Sequence, residues 1–141
     1  MNIAIDLDKT LIEYDEVKHK LFLLDGVSEC LPKLYELGFK FHIVTGRPHH
    51  NFDEVFKIVS GISKEININF ESIITTDGKR KGIYAKQKKC KYLIDDNSYY
   101  FGDCEENDVI PILLNNQNSL NTVNNDWIKI YNFFITKYNE Q

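Results

Sequence analysis

The chain begins Met1-Asn2-Ile3-Ala4-Ile5-Asp6-Leu7-Asp8-Lys9-Thr10, and the reading of these ten residues decides the fold. The apolar run Ile3 to Ile5 reads as a strand that delivers Asp6, Asp8 and Thr10 at alternate positions. Residues i, i+2 and i+4 of extended chain share a face, so Asp6 and Asp8 project together if extension lasts through Asp8. In open α/β sheets ligands bind beyond the carboxyl ends of the strands. Two carboxylates there repel each other, and a cation or a shared proton is what makes them tolerable. The pair points to chemistry.

Outward from this stretch, apolar runs alternate with helical patterns, a βαβ rhythm that favours a parallel sheet covered on both faces. The expected strands are Asn2–Leu7, Phe39–Val44, Ser72–Thr75, Tyr92–Ile94 and Val109–Leu114. Helical spacing is expected over Ser28–Leu37, with Gly38 at its stop and Pro32 awkward unless it falls in the first turn. The residues Phe52, Val55, Phe56 and Val59 form a stripe for packing on the sheet. Lys79–Lys89 is a basic helix candidate, and Asp126–Tyr138 is a terminal one with Trp127, Ile130, Tyr131 and Phe134 on its apolar side. Ser63–Phe70 reads as a loop or an edge strand, and Asn115–Asn125 as an exposed loop. Leu11–Asp25 is too apolar for a linker. It reads either as a hairpin-like flap over the carboxylates or as cover for the sheet edge.

The 141 residues make one domain, residues 1–141, able to bury roughly two thirds of its unfolded surface. Nine Phe, eight Tyr and one Trp argue for a packed core. A formal charge of −4 gives no global push toward nucleic acid or membranes, though a local basic site stays open. Cys30, Cys90 and Cys104 have no CxxC spacing, which argues against a disulfide framework or a thiolate zinc site. Asp6 and Asp8 interrupt the N-terminal apolar run, so no signal peptide is read, and no apolar stretch has the length of a membrane span. A soluble, cytoplasmic protein with no membrane partner is expected. The oligomeric state is left open.

Further chemistry falls at the expected strand ends. Thr45-Gly46-Arg47 follows the second strand, where Thr45 offers a hydroxyl and Gly46 lets the backbone approach an anion. Asp95 and Asp96 follow the fourth. Between them run Lys79, Arg80, Lys81, Lys86, Lys88, Lys89 and Lys91. Mg²⁺ is usually held by one or two carboxylates plus substrate phosphate, which Asp6 with Asp95 or Asp96 would supply. A carboxylate can attack phosphorus to form an aspartyl-phosphate, and its neighbour two residues on can move protons. Mg²⁺-assisted phosphoryl transfer is the chemistry suggested.

The ordered set DxDxT, strand then TGR, lysine, strand then DD resembles the haloacid dehalogenase-like superfamily of phosphohydrolases from Met1 to about Asn97. The resemblance implies an α/β, Rossmann-like parallel sheet of about five strands with helices on both faces and no separate cap domain. It implies Asp6 as nucleophile and metal ligand, and Asp8 as general acid/base with its backbone carbonyl on Mg²⁺. Thr45 and the Gly46 amide would bind phosphate, and Asp95, supported by Asp96, would complete the metal site. Lys81 is the expected site lysine, with Lys79 and Lys86 as alternatives. Thr10 and Arg47 complete the candidate substrate contacts, with pairing to an acidic surface residue as the other reading of Arg47.

The implied activity is Mg²⁺-dependent hydrolysis of a phosphomonoester, first a nucleotide or polynucleotide end and second a sugar phosphate or other small metabolite. A phosphate-binding regulatory module with little turnover is the reading from a different class. His49 and His50 more often mark a solvated helix start than ligands. Tyr99, Tyr100 and Phe101 would stack on a base or anchor a loop, with anchoring favoured.

Overall fold

The computed structural model describes residues 1–115 and 126–141, and the expected loop Asn115–Asn125, apart from Asn115, lies outside the described residues. Five strands form one parallel sheet: β1 (Asn2–Ile5), β4 (Lys40–Thr45), β5 (Ser72–Thr75), β6 (Cys90–Asp95) and β7 (Ile110–Leu113). Their spatial order is β5-β4-β1-β6-β7. The apolar run at Ile3–Ile5 takes the centre because it is buried on both faces. From β1 the chain steps outward through β4 to β5, then returns to β6 on the other side of β1. That reversal makes the carboxyl ends of β1, β4 and β6 the crevice of the sheet.

The two faces are unequal. Ile3 and Ile5 join the larger core with α1 (Val27–Glu36), α2 (Phe52–Ile66) and α4 (Asp126–Asn139). Ala4, Val44 and Leu93 face the other way, against Ala85 of the short helix α3 (Gly82–Gln87). Small Ala4 lets the α3 layer lie close to the sheet. Helices therefore cover both faces, and among the described residues there is no separate cap domain.

Several elements depart from sequence expectation. Helix α2 runs on to Ile66, so Ser63–Phe70 is neither wholly loop nor an edge strand. Ile62 and Ile66 extend the buried stripe of Val55 and Val59, and Asn67 ends the helix in a left-handed conformation (φ 58°). Phe52 and Phe56 leave that stripe and stack on each other at the surface. Pro32 lies inside α1, beyond the first turn, where its missing N–H is set against the carbonyl of solvent-exposed Ser28. Helix α3 is shorter than the basic run, which follows a turn at Asp77 and Gly78 and closes at Lys89 with a positive φ of 59°.

Leu11–Asp25 forms a separate antiparallel hairpin, β2 (Ile12–Asp15) with β3 (Lys20–Leu23). Its base is anchored by buried Leu11 and Ile12, while Tyr14, Val17, Leu21 and Phe22 stay exposed. It is not paired to either edge of the main sheet.

Candidate active site

Asp6 follows β1 directly, its N–H bonded to the carbonyl of Ile94 at 2.9 Å, which sets it level with Asp95 on β6. Extension does not last to Asp8. Lys9 takes a positive φ of 62°, and the Leu7 carbonyl accepts from the N–H groups of Thr10, Leu11 and Ile12, folding the chain into a turn. Asp6 and Asp8 thus pair with different cationic side chains, Lys81 and Arg47.

Lys81, at the start of α3, places Nζ 2.7 Å from Asp6 Oδ1 and 2.6 Å from Asp95 Oδ2. Both Lys81 and Asp95 are fully buried, and Asp6 is nearly so. Lys79 and Lys86 are exposed, so of the three candidate lysines the structure brings Lys81 to the carboxylates. Burial works against the Lys81 charge, but Asp6 and Asp95 together hold its pKa above the ordinary lysine value. Burial pushes the Asp6 carboxyl up to about 8 despite Lys81, with Asp95 and Asp96 adding repulsion. Asp95 is raised for the same leading reason. Three carboxylates around one ammonium leave negative charge uncompensated.

That surplus is the test of metal fit. Asp6, Asp95 and Asp96 each offer an oxygen within 4.8 Å of the others, a hard-oxygen set of the kind Mg²⁺ takes. The residues present fit the ion. The Asp8 carboxylate stands outside this cluster, which leaves only its main-chain carbonyl for the ligand role that the sequence motif implies.

Arg47 grips Asp8 instead, Nε to Oδ2 and Nη2 to Oδ1, both at 2.8 Å. Asn51 Oδ1 accepts from Arg47 Nη1 at 3.1 Å and fixes the fork. Donating these hydrogen bonds to Asp8 raises the Arg47 pKa above its ordinary value. Expected as a substrate contact, Arg47 is committed first to Asp8. Thr10, expected in the same role, is fully buried and donates its hydroxyl to Asp6 Oδ2 at 3.1 Å and to Asp96 Oδ1 at 3.4 Å. In this structure that hydroxyl is engaged with carboxylates. Thr45 ends β4, buried, with its Oγ1 accepting from the Arg47 N–H at 3.3 Å.

Gly46 lies under the ring of Tyr100, and a Cβ there would run into the Tyr100 hydroxyl. The same ring sits 4.0 Å from Lys81 Nζ. His49 is bonded to Thr75 and Asp77, and His50 is exposed, so neither reaches the acidic cluster.

Two contributors carry no sequence signal. Asp103 accepts from the N–H groups of Gly82 (2.7 Å) and Ile83 (3.0 Å), tying down the start of α3 that presents Lys81. Trp127 Nε1 donates to the Thr10 carbonyl at 2.8 Å, anchoring the turn after Asp6 from α4. Their partners are backbone groups far along the chain, which residue spacing does not announce. A groove of about 580 Å³ beside α2, lined by Tyr35, Phe56, Lys64 and Phe70 among others, holds no carboxylate or thiol and lies apart from this constellation.

The model of a family described as haloacid dehalogenase-like hydrolase matches residues 3–140. Among solved structures, the fold resembles a D,D-heptose 1.7-bisphosphate phosphatase from B. bronchiseptica complexed with magnesium and phosphate. The TM-score is 0.70 at 10% identity, over 96% of this chain and 98% of that one. A Had-superfamily hydrolase from Ehrlichia chaffeensis gives a TM-score of 0.65 at 14% identity, over 96% of each chain. A chain of the Pnkp1/Rnl/Hen1 RNA repair complex gives 0.59 at 16% identity, over 81% of this chain and 42% of that one. No curated protein matches the sequence.

Proposed function

The chain belongs to the haloacid dehalogenase-like hydrolase family, a phosphatase-type enzyme, and we propose that it hydrolyses phosphomonoesters with Asp6 as nucleophile. The observation that carries this reading is the division of labour between two aspartates two positions apart. Asp6 is held by buried Lys81 and Asp8 by Arg47. Two carboxyl groups with separate cationic partners suit two roles. A metal ion beside Asp6 would offset the burial that raises its pKa and leave it ionised to attack.

An Asp6 oxygen attacks phosphorus while the ester P–O bond breaks, giving an aspartyl-phosphate. Asp8 passes a proton to the departing oxygen. Asp8 then takes a proton from water, whose oxygen attacks phosphorus, and the Asp6–phosphorus bond breaks to free phosphate. Lys81, Thr45 and the Gly46 amide bind the phosphoryl oxygens. Arg47 orients Asp8, and Thr10 orients Asp6. Asp6, Asp95 and Asp96 would hold Mg²⁺, which would supply positive charge against the phosphoryl group.

For substrate we favour a nucleotide or polynucleotide end over a sugar phosphate. Fold alone leaves both open. Exposed Lys79 and Arg80 stand beside Lys81 in the chain, where they suit a longer anionic substrate. A binding module with little turnover is disfavoured because Asp6, Asp8, Lys81 and Asp95 are all present and assembled. The hairpin β2–β3, rising from the turn beside Asp8, is proposed as a flap over the site. Three buried free cysteines suit a reducing, cytoplasmic setting. Phosphate release from nucleotides, phosphorylated oligonucleotide ends and sugar phosphates, with Mg²⁺, tests the reading. Release from the first two groups is expected, and no release from any would overturn it.

A further inference from the structure

The segment after β6 turns outward through a short 3₁₀ helix, Ser98–Phe101, and carries two rings with it. Asn97 Oδ1 accepts from the Tyr99 N–H at 3.0 Å and fixes where that turn begins. The Tyr100 carbonyl accepts from the Lys81 N–H at 3.2 Å, fastening the turn to the base of α3. The Tyr100 ring then spans the gap between Lys81 Nζ and Gly46, both members of the proposed phosphate site. Tyr99 stands edge-to-face against it, with centroids 5.1 Å apart and planes at 77°.

Tyr99 is 54% exposed, yet it is not a loose surface ring. The Arg80 guanidinium carbon lies 5.9 Å from its centroid. Arg80 itself lies flat across Gly102, where a Cβ would stand 2.7 Å from that guanidinium carbon. A cation, an exposed ring and a second ring therefore lead in sequence from solvent to Lys81. A buried phosphate site reached by a short aromatic path with a cation at its outer end matches a substrate that carries phosphate, a sugar and then a flat π-system.

We propose that Tyr99, held between Arg80 and Tyr100, is the specificity-determining surface on which the base of a nucleotide-type substrate stacks. The proposal rests on the phosphatase reading of the Asp6 site. Arg80 would meet a neighbouring phosphate or the base face, and Tyr100 would back the sugar. A sugar phosphate without a base leaves Tyr99 unused.

The test is the ratio of kcat/KM for a 3′-phosphorylated oligonucleotide and a nucleoside monophosphate, each against ribose 5-phosphate, in Mg²⁺-loaded enzyme. In wild type the ratio for at least one base-bearing substrate is expected to exceed one clearly. Tyr99→Leu is expected to lower that ratio roughly 5- to 100-fold, the worth of one base–aromatic stack. Tyr99→Phe, which keeps the ring, is expected to retain it. A wild-type ratio near one, with phosphate still released, overturns the nucleotide substrate and the stacking surface together while leaving Asp6 chemistry standing. A wild-type preference that survives Tyr99→Leu overturns the stacking surface alone. Absence of phosphate release from all three substrates counts against the phosphatase reading beneath the proposal.

Discussion

Arg47 holds both oxygens of Asp8 in a two-point fork, each contact 2.8 Å, while Asp6 two residues earlier never enters that pair. A planar guanidinium matches a carboxylate in a way that an ammonium does not. Arg47→Lys is therefore expected to lower kcat roughly 10- to 100-fold, the worth of a lost charge-assisted hydrogen bond. Asp8→Asn is expected to lose more, and the double variant little beyond Asp8→Asn alone, since Arg47 acts through Asp8. Steady-state kinetics of the three variants check this, and fully additive losses would assign Arg47 a separate task.

Lys81 is the buried counter-charge for both Asp6 and Asp95. Removing one partner of a buried ion pair leaves an uncompensated charge, at a cost of about 3–5 kcal/mol. Lys81→Met is expected to lose stability of that order in denaturant unfolding without Mg²⁺. Adding Asp6→Asn to Lys81→Met is expected to restore part of the loss, because it removes one of the stranded carboxylates. Unchanged unfolding midpoints for Lys81→Met would show that the carboxylates find another counter-charge.

Asp103 acts at one remove from the chemistry. It binds the N–H groups of Gly82 and Ile83, doing for α3 what a capping side chain does. Asp103→Ala is expected to cost about 1–2 kcal/mol of stability. It also frees the turn that sets Lys81, so kcat is expected to fall. Thermal melts and kinetics on one preparation separate the two effects. A stability loss with kcat intact would mean that Lys81 is held by its carboxylates alone.

His42 gives the fold an acid-sensitive point away from the site. It lies buried on β4 between Asn2 and Ser72. Because Asn2 Oδ1 can only accept, His42 Nε2 carries the proton, and Nδ1 accepts from the Ser72 hydroxyl at 2.7 Å. Burial, with Lys88 and Lys40, outweighs Glu71 and holds the His42 pKa below its ordinary 6.5. The unfolded chain thus takes up the proton first on acidification, so the His42 contribution is full above pH 6.5 and is lost as pH falls below it. Urea midpoints are expected to drop between about pH 7.5 and 5.5, and His42→Gln is expected to flatten part of that drop. Equal pH slopes in both proteins would contradict the assignment.

Much of this site was legible in the sequence because strand ends hold their residues in fixed order. Asp6, Thr45 and Asp95 follow apolar runs that become β1, β4 and β6, so their convergence follows from the sheet. What escaped was set by turns and by distant backbone partners. The bend at Lys9 sends Asp8 to Arg47, and residue spacing alone carries no signal for a positive φ at a lysine. The contacts of Thr10 with the Trp127 indole and with Asp6 likewise join residues that spacing does not relate. The end of α2 was missed because Ile66, Ile68 and Phe70 alternate like a strand, although Ile66 continues the helical stripe.

Asp6 is the proposed atom donor to phosphorus, and a trapped covalent intermediate reports on it directly. Wild-type enzyme with Mg²⁺ and a phosphoryl-labelled nucleotide, quenched in acid during turnover, is expected to carry label on Asp6 that hydroxylamine removes. Asp6→Asn is expected to carry no label and to release no phosphate, while remaining folded. Phosphate release by Asp6→Asn at a rate near that of wild type would contradict the account at its centre.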